Sequence, residues 1–213
     1  MDFRTKIFTF LVLLTLTFSC DFDSTKYAVI ETEFGDIRVM LYDSTPKHTE
    51  NFEQLVEEGF YDDLLFHRIM NQFMIQGGDP DSKDAPQGQR LGMGGPGYMI
   101  DAEIGAIHKR GALAAARDNN PEMKSSGSQF YIVHGREVDT NFLDMVAQRN
   151  DLTYTEEEKA IYLEQGGAPF LDGQYTVFGE VVEGMDVVDR IANQVKDSYD
   201  RPLEDIKMKI RMD

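Results

Sequence analysis

Residues 66–79 read FHRIMNQFMIQGGD. The run is strand-like, with Phe66, Ile69, Phe73, Met74 and Ile75 as apolar positions, yet it carries Arg68 and, eight residues on, Gln76. A permanent charge in apolar company is expensive to desolvate unless its surroundings compensate it. His67 is adjacent to Arg68 but, on strand alternation, points to the opposite face, and it reads as a buried, hydrogen-bonded histidine.

Working outward, residues 27–34 and 36–42 form a hairpin joined at Gly35, because Ile37, Val39 and Leu41 alternate with Asp36, Arg38 and Met40. Thr45-Pro46 opens a helix with Phe52, Leu55 and Val56 at helical spacing, and Gly59 closes it. Downstream, residues 77–98 read GGDPDSKDAPQGQRLGMGGPGY, a looped segment. It lacks the Lys-Ser/Thr ending of a phosphate cradle. Residues 111–116, 128–133, 177–182 and 206–212 read as strands and 185–192 as a short helix. Many strands, few helices and no strand–helix–strand alternation favour an antiparallel barrel or sandwich.

Residues 135–167 break this pattern. Phe142, Leu143, Met145 and Val146 recur at helical spacing, Thr155-Glu156-Glu157-Glu158 forms a capping box, and Gly166 ends the second helix. The segment reads as a helical insertion on the β scaffold, not a second domain.

The chain has 213 residues, suited to one domain with an appendage, and 41% hydrophobic content, which is not a disordered composition. Its net charge of −17 argues against nucleic acid as a partner. Arg4 and Lys6 precede an apolar run at 7–18, a secretory signal over residues 1–19. Cys20 is the sole cysteine, so no intrachain disulfide forms, and its place after the apolar run resembles a bacterial lipoprotein signal. Thr17 stands where such signals usually carry Leu. The expectation is an exported protein with a lipid on Cys20 that anchors it to a membrane, a tether at 20–26 and a domain at 27–213. Four scattered histidines, at 48, 67, 108 and 134, offer no zinc spacing, and there is no Gly-x-Ser-x-Gly elbow, so neither metal nor nucleophile is expected.

What remains is an apolar groove with Arg68, Gln76 and, within GSQFYI, Gln129. Here FHRIMNQFMIQGGD, GGPGY, GSQFYIV and FLDGQYTVFGEVVEGMDVV resemble, in order and spacing, the cyclophilin-type peptidyl-prolyl isomerases. The resemblance runs from about residue 27 to the end, interrupted mainly at 135–167. It implies a mainly β fold, a closed eight-stranded antiparallel barrel capped by two helices, with the groove on its outer surface. It implies rotation of Xaa-Pro bonds in proline-containing polypeptides by a monomer that uses no cofactor. Arg68 takes the place of the catalytic arginine, with Phe73 and Gln76 beside it. Met74, Ala116, Arg117, Gln129, Phe130, Tyr131, Phe170, Leu171 and Tyr175 fall at substrate-binding positions. Four of these depart from the common pattern: Arg117 replaces Asn, Tyr131 replaces the Phe of the pocket floor, Phe170 replaces Trp and Tyr175 replaces His.

Overall fold

The computed structural model describes residues 25–213. The alternating N-terminal segment becomes a hairpin of β1 (Lys26–Thr32) and β2 (Gly35–Leu41), in register from Lys26↔Leu41 to Thr32↔Gly35. Gly35 turns the corner at φ +122, which a side chain rarely tolerates. Helix α1 (Pro46–Glu57) begins at Pro46 and buries His48, Thr49, Phe52, Leu55 and Val56. Strands β3 (Arg68–Met70) and β4 (Met74–Gly77) follow, with two-residue β5 (Met99–Ile100) after the glycine-rich loop. Next come β6 (Ala112–Ala115), β7 (Ser125–Ser126) and β8 (Phe130–Val133). Helices α2 (Thr140–Asn150) and α3 (Glu156–Gln165) occupy the predicted helical segment, and the Thr155–Glu158 capping box forms at the start of α3. The chain ends with β9 (Val177–Glu183), α4 (Met185–Ala192) and β10 (Lys209–Met212).

Eight strands form one antiparallel sheet in the order β10-β1-β2-β9-β6-β8-β4-β3, while β5 pairs with β7 apart from it. The sheet curls but does not close, and this corrects the expected barrel: it is an open half-barrel whose edges lie 16 Å apart. The edge strands are short, three residues in β3 and four in β10, so the expected strand at 206–212 is regular only from Lys209. Irregular backbone preceding each of them makes the contacts instead. Phe66 N–H donates to Ile206 O at 2.9 Å and Met208 N–H to Leu64 O at 2.8 Å. These bonds satisfy the backbone without a ladder between the edge strands.

The concave side holds the main core, where Phe52, Tyr61, Phe66, Phe130 and Phe178 meet beneath α1 and α4. A smaller cluster on the other face joins Met74, Ala112, Ala114, Tyr131, Val133 and Val177.

The expectation of a membrane protein is corrected for the domain itself. Among the described residues no helix is long and apolar enough to cross a membrane. The longest helix among the described residues, α1, has 12 residues, about 18 Å at the helical rise, against a bilayer core of about 30 Å. The leader at 1–19 and Cys20 lie outside the described residues.

Candidate active site

Antiparallel register builds the site. Arg68 on β3 lies opposite Gln76 on β4, Gln76 opposite Tyr131 on β8, and Tyr131 opposite Ala114 on β6. One row across four strands therefore places an arginine, an amide and a phenol on the same outer face. Alternation decides the rest: Ile69, Ile75, Phe130 and Ile132 point into the core, and Met74 joins the outer cluster.

A cavity of about 180 Å³ opens on this row. Its lining brings together Arg68, Phe73, Met74, Gln76, Ala116, Arg117, Tyr131, Leu171 and Tyr175. Three predicted site residues lie elsewhere. Phe130 is 1% exposed and packs edge-on against Phe52, Tyr61 and Phe66 inside the core. Phe170 is an outer neighbour, its ring 5.4 Å from that of Phe73. Gln129 lines a larger cavity of about 520 Å³ along the glycine-rich loop, together with Gln76, Met93, Ala116 and Arg117.

Side-chain amides connect these regions. Arg68 Nη1 donates to Gln76 Oε1 at 3.3 Å, Gln76 Nε2 to Gln129 Oε1 at 3.0 Å, and Gln129 Nε2 to Gly94 O at 2.7 Å. The chain of donors holds the guanidinium at the cavity rim, where it also meets Met70 Sδ at 3.1 Å and lies 6.0 Å from the Phe73 ring. Arg117 walls the far side, its guanidinium 4.6 Å from the centre of the Tyr175 ring and its Nε donating to Gln174 O at 3.0 Å. Ala116 uses its own N–H on Gln129 O and its carbonyl on Ser126 N–H.

Beneath the floor runs a buried polar network that the sequence reading did not include. Tyr131 Oη is 3.0 Å from His108 Nε2, and His108 Nδ1 is 2.8 Å from Asp172 Oδ1. A carboxylate only accepts, so Nδ1 carries a proton and, in the neutral ring, Nε2 accepts from Tyr131 O–H. Burial pushes the Tyr131 phenol well above its ordinary value, which keeps that donor protonated. Asp172 Oδ2 accepts from Tyr154 at 2.8 Å and Tyr162 at 2.6 Å, so α3 and the turn before it are tied to the cavity floor. The available signal was Asp172 itself, adjacent to Leu171 in FLDGQYTVFG.

Asp79, the last residue of the opening stretch, is fully buried. Its carboxylate accepts from the backbone N–H of Asp81 at 2.8 Å and from Gly92 and Gly94, which fastens the glycine-rich loop. His67 departs from its expected role. It is buried, but neither ring nitrogen has a hydrogen-bond partner. Among the described residues no group of three or more His, Cys, Asp or Glu side chains is placed to hold a metal ion.

The family model for cyclophilin type peptidyl-prolyl cis-trans isomerases matches residues 27–211. The chain belongs to the cyclophilin family. It is a peptidyl-prolyl cis-trans isomerase, acting on Xaa-Pro bonds. Relatives named for this activity occur in Staphylococcus aureus strain COL, 36% identical over 184 residues, covering 84% of this chain and 86% of the relative. Another, in Staphylococcus epidermidis, is 36% identical over 190 residues, covering 86% and 89%. The fold is shared with a cyclophilin type isomerase of Cryptosporidium parvum, at TM-score 0.63 and 24% identity, covering 89% of this chain and 98% of that one. The same parasite cyclophilin was also solved in the presence of the dipeptide Ala-Pro, again at TM-score 0.63.

Proposed function

We propose that the 180 Å³ cavity receives the substrate proline and that Arg68 accelerates rotation of the preceding amide. The observation that carries this is Arg68 held by Gln76 at the rim of a cavity walled by Phe73, Met74, Tyr131 and Leu171.

Delocalisation of the nitrogen lone pair gives the amide a rotational barrier of about 18–20 kcal/mol. As the bond twists, the prolyl nitrogen becomes pyramidal and its lone pair becomes available to a donor. A guanidinium aimed at that nitrogen, or at the substrate carbonyl, stabilises the twisted amide more than either planar isomer. The apolar walls exclude water and strengthen its field. No proton is transferred, so the rate is flat with pH near neutrality.

The clients we assign are exported polypeptides. The reading rests on residues 1–19 as a secretory leader, with a lipid carried on Cys20. Mass spectrometry of the native N-terminus tests it, since a mature chain that retains Met1 overturns export through this leader.

The catalytic reading is tested by cis–trans exchange on a short Xaa-Pro peptide. Arg68→Ala is expected to lower kcat/KM about 100-fold, the size seen when one preorganised donor is removed. A folded Arg68→Ala protein with unchanged turnover would sink the mechanism.

A further inference from the structure

On the other side of Arg68 and Gln76 lies a third cavity, of about 260 Å³. His67, Arg68, Gln76, Arg90, Tyr199 and Arg201 are among its walls, which include three arginines and no carboxylate. Two of its side chains carry buried polar atoms without a partner: both ring nitrogens of His67 and Nε of Arg201, each residue only 3% exposed. Buried polar groups in folded proteins are nearly all hydrogen-bonded, so unpaired ones at a cavity wall mark where a ligand group can be accommodated. Residue 92 is glycine, so no side chain fills the space beside the buried His67 Nε2, where a Cβ would stand at 3.4 Å.

The charges around the cavity are unevenly matched. Arg201 is fixed by Ala85 O, Pro86 O, Gln89 O and Asp205 Oδ1, and Arg68 Nε has Asp200 Oδ2 at 3.9 Å. Arg90 is exposed and forms no ion pair among the described residues, with only the Tyr199 ring 6.0 Å from its guanidinium. Burial holds the His67 ring below its ordinary pKa, so it offers one donor and one acceptor and no charge.

We propose that this cavity is a subsite for an acidic side chain of the substrate, on a residue flanking the Xaa-Pro pair. It rests on the reading that proline occupies the neighbouring cavity, because Arg68 and Gln76 wall both. The long-range field works against such a preference. A chain of net charge −17 attracts cationic peptides, so selection of an acid at one position has to come from local contacts.

The test measures kcat/KM of the full chain on peptides with an Ala-Pro centre and Glu, Ala or Lys at each flanking position in turn. At one position the Glu peptide is expected to exceed the Ala peptide by about three- to fivefold at low salt, the range of an exposed charge pair. Arg90→Ala brings that ratio to about one and Arg90→Glu inverts it in favour of Lys, while turnover of the Ala peptide is unchanged in both. Equal rates for Glu, Ala and Lys at every position, or a Glu preference that survives Arg90→Glu, overturns the proposal. The Ala peptide separates the two readings. If Arg68→Ala spares its turnover, the proline-cavity reading fails. If Arg68→Ala abolishes it and no Glu preference exists, only the acidic subsite fails.

Discussion

His108 and His67 are both buried, one beneath the 180 Å³ cavity and one in the wall of its neighbour, and their surroundings are opposite. His108 is bonded at both ring nitrogens, to Tyr131 and Asp172, and its backbone N–H also reaches Asp172 Oδ1 at 2.8 Å. His67 is bonded at neither ring nitrogen. A polar group whose partners all lie inside the protein holds the fold in place. One whose partners are missing is kept for something that arrives later, or is tolerated at a cost in stability.

That contrast can be broken most forcefully by replacing each histidine with leucine. His108→Leu strips Asp172 and Tyr131 of their shared partner, and urea unfolding is expected to show a loss of about 3 kcal/mol. His67→Leu removes no hydrogen bond, and its loss is expected to stay below about 1 kcal/mol. Equal losses would mean that the two environments are not different in kind.

Tyr131→Phe sharpens the contrast at smaller scale. It deletes one hydroxyl, leaves His108 Nε2 unpaired, and is expected to lower stability by about 1 kcal/mol. Because the ring still floors the cavity, kcat/KM for a short peptide should stay within about twofold. A large loss of turnover at unchanged stability would give the phenol a part in the chemistry.

The smallest effect is a pH slope. Burial lowers the His67 pKa from its ordinary 6.5, with Arg68 and Arg201 acting in the same direction and Asp79 opposing them. Between the folded value and 6.5 the unfolded chain binds more protons, so stability rises with pH there and is lost as pH falls below 6.5. His48 and His134 are also lowered by burial and add to the slope with the same sign. Melting temperatures taken from about pH 7 down to about pH 5 should fall less steeply for His67→Leu than for the native chain. Parallel curves would remove His67 from the effect.

Local pattern was enough to locate much of the fold. Alternation gave the 27–42 hairpin, spacing gave α1 and α4, and Thr155–Glu158 gave the start of α3. Whether the sheet closes was not readable, because it depends on how far short edge strands reach after the curl accumulates across eight strands. Within the site, Phe130 and Tyr131 were both expected to meet substrate. Neighbours on one strand face opposite sides, and that rule alone separates the core residue from the cavity floor. The Asp172 and His67 environments were beyond reach for another reason. Each depends on contacts across long stretches of chain, 64 residues for Asp172 with His108 and 134 for the Arg201 that shares His67's cavity (201 − 67).

Gln76 lines all three cavities along the groove. For inhibitor chemistry this makes its carboxamide a junction. A proline mimic extended in either direction must cross the same group, so discrimination among related isomerases has to be built into the outer arms. Those arms would meet Arg117 and Met93 on one side and Arg90 on the other.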